Sequence, residues 1–213
     1  MKDIDKLIAD LSADPKPVRP APRPLFLFAT WFLASCLYVL FLLMVACHPR
    51  PDLAQKLMQP LFASEISALV VLIAMTSLSA TCLSYPDLYQ HKRAVFYLPV
   101  LAFIIFAVLI FVEWLRDTPP SPPPIHHMEC LLSILVMSLP PAFWMLMRLR
   151  HMASVEPARA CYTALLASFS VGALALRLSE PTDSMNHLIG WHYLPMIGVV
   201  FLGVICGRKL LKW

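Results

Sequence analysis

The residues best equipped for chemistry in this chain are histidines and cysteines. Five of the seven histidines fall at the ends of apolar runs that the charge distribution places at the outer face of a membrane. They are His48, His126, His127, His187 and His192. Cys47 and Cys130 lie at the same level, and Glu129 adds a carboxylate. Imidazole, thiolate and carboxylate are the usual ligands of zinc and related ions. The densest group is His126-His127-Met128-Glu129-Cys130. If the chain holds a metal, His126, His127 and Cys130 are the first candidates, although their spacing matches no specific zinc pattern. The competing reading is that polar side chains simply collect where helices leave a membrane. Both readings stand at this level.

Other chemistry is poorly provided for. Cys36, Cys82, Cys161 and Cys206 lie in apolar runs or near their ends, where cysteine is ordinarily a small apolar residue. A Cys47–Cys130 disulfide needs an oxidising compartment and a proximity that sequence cannot supply. The chain carries no Gly-rich phosphate loop, nucleophile elbow or pair of catalytic carboxylates, so no enzyme activity is expected. Charge deep inside the apolar runs is scarce; Glu65, Glu113 and Arg177 each fall near a run's end. Arg177 is expected to snorkel outward. A transporter would place such groups near the midplane, which argues against transport.

The elements that must position these residues are membrane spans. The 213 residues are 59% hydrophobic and only 14% charged, against about 25% charged in a soluble domain. Six apolar runs are long enough to cross about 30 Å of hydrocarbon. They cover residues 25–47, 61–84, 94–115, 129–149, 158–178 and 187–207. Each must be helical, because unpaired backbone groups are costly in lipid. The fold class is therefore an all-α bundle of six transmembrane helices. Of the 17 Lys and Arg residues, Arg50, Lys56, Arg116 and Arg177 fall on one side and the other 13 on the opposite side. The positive-inside rule puts that richer side, with both termini, in the cytoplasm. No cleaved signal peptide is expected, because the first apolar run is long enough to stay as an anchor. Pro140-Pro141 and Pro195 should kink their spans. Gly203 and Gly207 form a GxxxG face suited to close packing within the chain or, alternatively, to a homodimer.

The first 24 residues differ from the rest. Ile4, Leu7, Ile8 and Leu11 recur at helical spacing and form one apolar face. Such a short helix is marginal until that face meets a partner. Residues 1–14 carry four Asp and two Lys, a side-chain sum of −2. An acidic helix is repelled by an anionic inner leaflet, so its apolar face suits a protein groove better. Prolines at 15, 17, 20, 22 and 24 then make a semi-rigid connection to the first span. The domain expectation is a cytoplasmic tail over 1–24 and a six-helix domain over 25–213.

Asp5-Lys6-Leu7-Ile8-Ala9-Asp10-Leu11, followed by Asp14 and Pro17-Val18-Arg19-Pro20, resembles the N-terminal signature of the NrsF family. Cys130, Ser138-Leu139-Pro140, Glu156-Pro157-Ala158-Arg159, Trp191-His192 and Gly207-Arg208-Lys209 look like that family's later landmarks. The resemblance implies a six-span anti-sigma factor of the inner membrane. It would hold an extracytoplasmic-function sigma factor and release it under oxidative or heavy-metal stress. It implies sigma-factor contacts at Ile4, Asp5, Leu7, Ile8, Leu11, Asp14, Pro17, Val18 and Arg19. No direct nucleic-acid contact and no cofactor are implied, apart from a metal ion that is sensed. It also implies a pair of periplasm-facing cysteines. Cys130 matches one; at the place of the other the chain reads Arg177-Leu178-Ser179-Glu180-Pro181. Cys130 is then left to act with Cys47, or with His126, His127 and His187 as metal ligands, or to have no sensing part. His192 joins the candidate sensing residues at the same face. The alternatives are a small transporter, a metal or redox sensor without a sigma partner, and a structural membrane subunit.

Overall fold

The computed structural model describes residues 2–13, 21–86, 92–116 and 128–211. The described residues form helices and no strand. The elements are α1 (Lys2–Ala13), α2 (Pro24–Val45), α3 (Leu53–Leu57), α4 (Pro60–Leu83), α5 (Lys92–Arg116), α6 (Met128–Arg150) and α7 (Pro157–Ser179). A short α8 (Met185–His187), a π-helical turn (Leu188–Tyr193) and α9 (Pro195–Leu210) follow. Six helical segments are long and apolar enough to cross a membrane, with the last running from Met185 to Leu210. They reproduce the six expected spans to within a few residues.

The bundle is built around α7, which packs on α2, α4, α6 and α9. About 72% of its membrane-length window is buried, against 22–50% for the other spans. Its sequence explains the position. Ala160, Ala164, Ala167, Gly172, Ala173 and Ala175 are small residues that let neighbouring backbones approach closely. A Cβ added at Gly172 would sit 2.5 Å from the Ile134 carbonyl oxygen of α6. A Cβ at Gly203 would sit 2.4 Å from Tyr162 Cα, and one at Gly207 would sit 2.7 Å from Ala158 Cα. The GxxxG face of α9 is thus spent on α7, inside one chain. Gly203 and Gly207 serve close packing within the chain.

The outward surface is apolar, as lipid requires. Leu37, Phe41, Leu101, Phe143, Phe201 and Ile205 are all more than half exposed. Side chains from neighbouring helices bond backbone carbonyls in the two proline-containing spans α5 and α6. Pro99 lies within α5 and has no N–H to give the Val95 carbonyl. Ser79 Oγ of α4 donates to that carbonyl at 2.8 Å instead. Pro140 and Pro141 lie within α6, and Trp31 Nε1 of α2 donates to the Pro141 carbonyl at 3.1 Å.

The end of the bundle opposite the start of α2 is closed by an ionic network. Arg177 is 4% exposed and does not snorkel. Its Nε and Nη2 donate to the two carboxylate oxygens of Glu65 at 2.9 and 3.0 Å. The Tyr193 hydroxyl donates to the same carboxylate. Arg50 makes two-pronged contacts to Asp52 and to Asp183, and Lys56 Nζ lies 2.7 Å from Asp183. Arg50 and Arg177 flank the Phe62 ring at 5.5 and 4.7 Å. Three cations thus face three carboxylates. Expected snorkelling gives way to pairing because a bidentate carboxylate satisfies the guanidinium where it stands.

Candidate functional site

Cys130 occupies the first turn of α6, and Glu180 caps the C-terminus of α7. His187 ends α8, and His192 sits in the π-helical turn. These four side chains converge beside the ionic network. Cys130 Sγ lies 3.7 Å from Glu180 Oε1. His187 Nε2 lies 3.4 Å from Glu180 Oε1, and His192 Nε2 lies 3.2 Å from Oε2. One donor atom from each residue can be chosen so that all lie within 4.8 Å of one another. The two imidazoles are fully buried, while Cys130 and Glu180 are partly exposed.

The local backbone explains how two histidines five residues apart share a face. In an α-helix that spacing leaves side chains roughly 140° apart. Here the Leu194 N–H donates to the Ile189 carbonyl at 2.8 Å, an i→i+5 bond that widens the turn. The wide turn swings His192 round towards His187, and their ring centroids are 5.2 Å apart. Pro195 follows at once; its ring crowds the carbonyl four residues back and supplies no N–H. The proline expected to kink the sixth span is therefore preceded by a π turn.

Electrostatics keep this carboxylate ionised. Burial alone raises the Glu180 pKa, but the His192 and His187 imidazoles and the Thr182 side chain outweigh it and hold the pKa at about 2. Nearby, burial likewise raises the Asp183 pKa, but Arg50, Lys56 and Arg177 overcome it and hold the carboxyl well below its usual range.

Of the sensing candidates read from sequence, Cys130, His187 and His192 come together. Cys47 stands outside the cluster, and burial pushes its thiol up, away from the reactive thiolate. His48 is exposed and takes a left-handed backbone conformation with φ of 51° after α2. His126 and His127 lie outside the described residues, so the group His126–His127–Cys130 has no geometry to report. Sequence reasoning misses Glu180 as a member of this cluster. Its signal is its position, since it stands where the family resemblance leads one to look for a second cysteine.

At the other candidate site, Ile4, Leu7 and Ile8 of α1 are 61%, 57% and 58% exposed. Asp5 is exposed beside them. Leu11 belongs to α1, but its side chain is outside the described residues, as are Asp14, Pro17, Val18 and Arg19. The amphipathic helix forms as expected, and Ile4, Leu7 and Ile8 on its apolar face are exposed.

The fold and these two features define a multi-span helical membrane protein with an apolar helix face exposed outside the bundle. Residues 11–213 match the model of the NrsF family, described as negative regulator of sigma F. The chain belongs to that family. The match starts within α1, so Ile4, Asp5, Leu7 and Ile8 precede it. Comparisons with curated proteins and with solved structures gave no match.

Proposed function

We propose that this chain is a membrane-anchored anti-sigma factor that captures an extracytoplasmic-function sigma factor with its first 24 residues. The family match carries the reading. The exposed face of Ile4, Leu7 and Ile8 supports it, because a short helix with an open apolar face gains its stability from a partner groove. Asp3, Asp5, Asp10 and Asp14 favour a basic groove over an anionic leaflet. Both termini are cytoplasmic in this reading, on the side that holds most of the Lys and Arg. The opposite end, with Cys130, Glu180, His187 and His192, then faces the periplasm and receives the signal that ends capture. The chain acts by sequestration and performs no catalysis.

A Leu7→Asp/Leu11→Asp variant tests the tail. The expected result is normal membrane insertion with loss of co-purification of the cognate sigma factor and constitutive transcription of its target genes. Intact capture by this variant would remove the tail from the mechanism.

A further inference from the structure

We propose that Cys130, Glu180, His187 and His192 form a binding site for a borderline divalent transition-metal ion of the zinc, cobalt or cadmium type. The donor set is the first reason. One thiolate, one carboxylate and two imidazoles suit such ions and not the all-oxygen preference of Mg²⁺ or Ca²⁺. The geometry is the second. Metal–nitrogen bonds of about 2.0 Å and metal–sulfur bonds of about 2.3 Å at tetrahedral angles put donors roughly 3.3–3.6 Å apart. Glu180 Oε1 already stands close to this, 3.7 Å from Cys130 Sγ and 3.4 Å from His187 Nε2, while His192 Nε2 lies 3.2 Å from the other oxygen, Oε2. All four donors fit within 4.8 Å, so closure on an ion draws the widest pair together by about 1 Å.

Two further observations point to a ligand. His192 is completely buried; its Nε2 faces the Glu180 carboxylate at 3.2 Å without hydrogen-bond alignment, and its Nδ1 has no hydrogen bond among the described residues. Coordination through Nε2 would replace this poorly aligned contact with a directed metal–nitrogen bond. The π turn is the other. It aims His192 at the cluster, at a spacing an unbroken α-helix would direct elsewhere.

Charge also balances. The ion displaces the thiol proton of Cys130, a metal–sulfur bond replaces the S–H bond, and one proton leaves to water. One thiolate and one carboxylate then neutralise a divalent cation, which makes a largely buried site tolerable. The partly exposed Cys130 and Glu180 mark the side of entry. A bound ion ties the first turn of α6 to the end of α7 and to the turn leading into α9. This assigns a ligand to the end where the proposed function places signal reception, but binding is read without reference to a sigma factor.

The test uses the tag-free full chain in lipid nanodiscs, stripped with chelator and titrated with Co²⁺. One equivalent should produce a sulfur-to-cobalt charge-transfer band and the visible bands of tetrahedral cobalt. Zn²⁺ should abolish both, while excess Mg²⁺ or Ca²⁺ should not. Cys130→Ser should remove the charge-transfer band, and His192→Gln and Glu180→Gln should each weaken Co²⁺ binding at least about tenfold with helix content unchanged. His126→Ala/His127→Ala should bind like the wild type. The inference is overturned if the wild type shows no charge-transfer band, if the His192 and Glu180 variants bind as tightly as the wild type, or if the His126/His127 variant loses the site. Metal binding that leaves sigma capture unaltered would uphold the site and sink only its role in signalling.

Discussion

Replacing Glu65 with Met tests whether the buried ion pair holds the bundle's polar end together. Glu65 is 1% exposed and Arg177 4% exposed, and two hydrogen bonds of 2.9 and 3.0 Å join them. Removing one member leaves a buried, under-compensated charge, which costs about 3–5 kcal/mol in such settings. Arg177 keeps a contact to Asp183 at 3.2 Å and to the Thr182 carbonyl at 3.1 Å, so the lower end applies. About 3 kcal/mol in a chain of this length lowers the thermal midpoint by roughly 6–12 °C. Arg177→Met should cost a similar amount, since it strands Glu65 with only the Tyr193 hydroxyl. The double variant replaces both charges with unbranched apolar side chains, and should return to within about 1 kcal/mol of the wild type. Thermal unfolding of the four proteins in nanodiscs, followed by circular dichroism, gives the coupling energy. A Glu65→Met loss below about 1 kcal/mol, or strictly additive singles, would refute the idea that burial and mutual pairing set the energetics here.

Two smaller perturbations follow the same physics. Ser79→Ala removes the donor that serves the Val95 carbonyl opposite Pro99, and should lower stability by about 1–2 kcal/mol. Combining it with Pro99→Ala should recover most of that loss, because the backbone N–H gained at position 99 restores the helical bond; both variants are measurable by the same unfolding assay. Asp183 should make the protein acid-sensitive. Its carboxyl pKa is lower in the fold than in the unfolded chain, so its contribution is fully present above the unfolded value of about 3.9 and is lost as pH falls towards the folded one. Thermal midpoints recorded down through pH 4 should therefore fall less steeply for Asp183→Asn than for the wild type, and parallel curves would contradict the assignment.

The spans were legible in the sequence because hydropathy sums along a chain and needs no knowledge of neighbours. The amphipathic pattern of Ile4, Leu7 and Ile8 was legible for the same reason, being a local period. Gly203 and Gly207 announced a close approach, and only packing chose Tyr162 and Ala158 as its target. Arg177 shows where reading fails. Sequence places it near a span's end and suggests snorkelling, but its actual partner Glu65 is 112 residues away.

By itself the sequence determined a six-span helical membrane protein with a charged, proline-rich tail. These properties are fixed by composition, period and the cost of unpaired backbone in lipid. The tertiary structure alone decided which polar groups meet. Cys130 reaches Glu180 because α6 packs against small residues on α7, and His192 turns towards His187 because the backbone widens before Pro195. Neither effect is a property of any one segment, so the convergence of thiol, carboxylate and imidazoles becomes visible only when the helices are assembled.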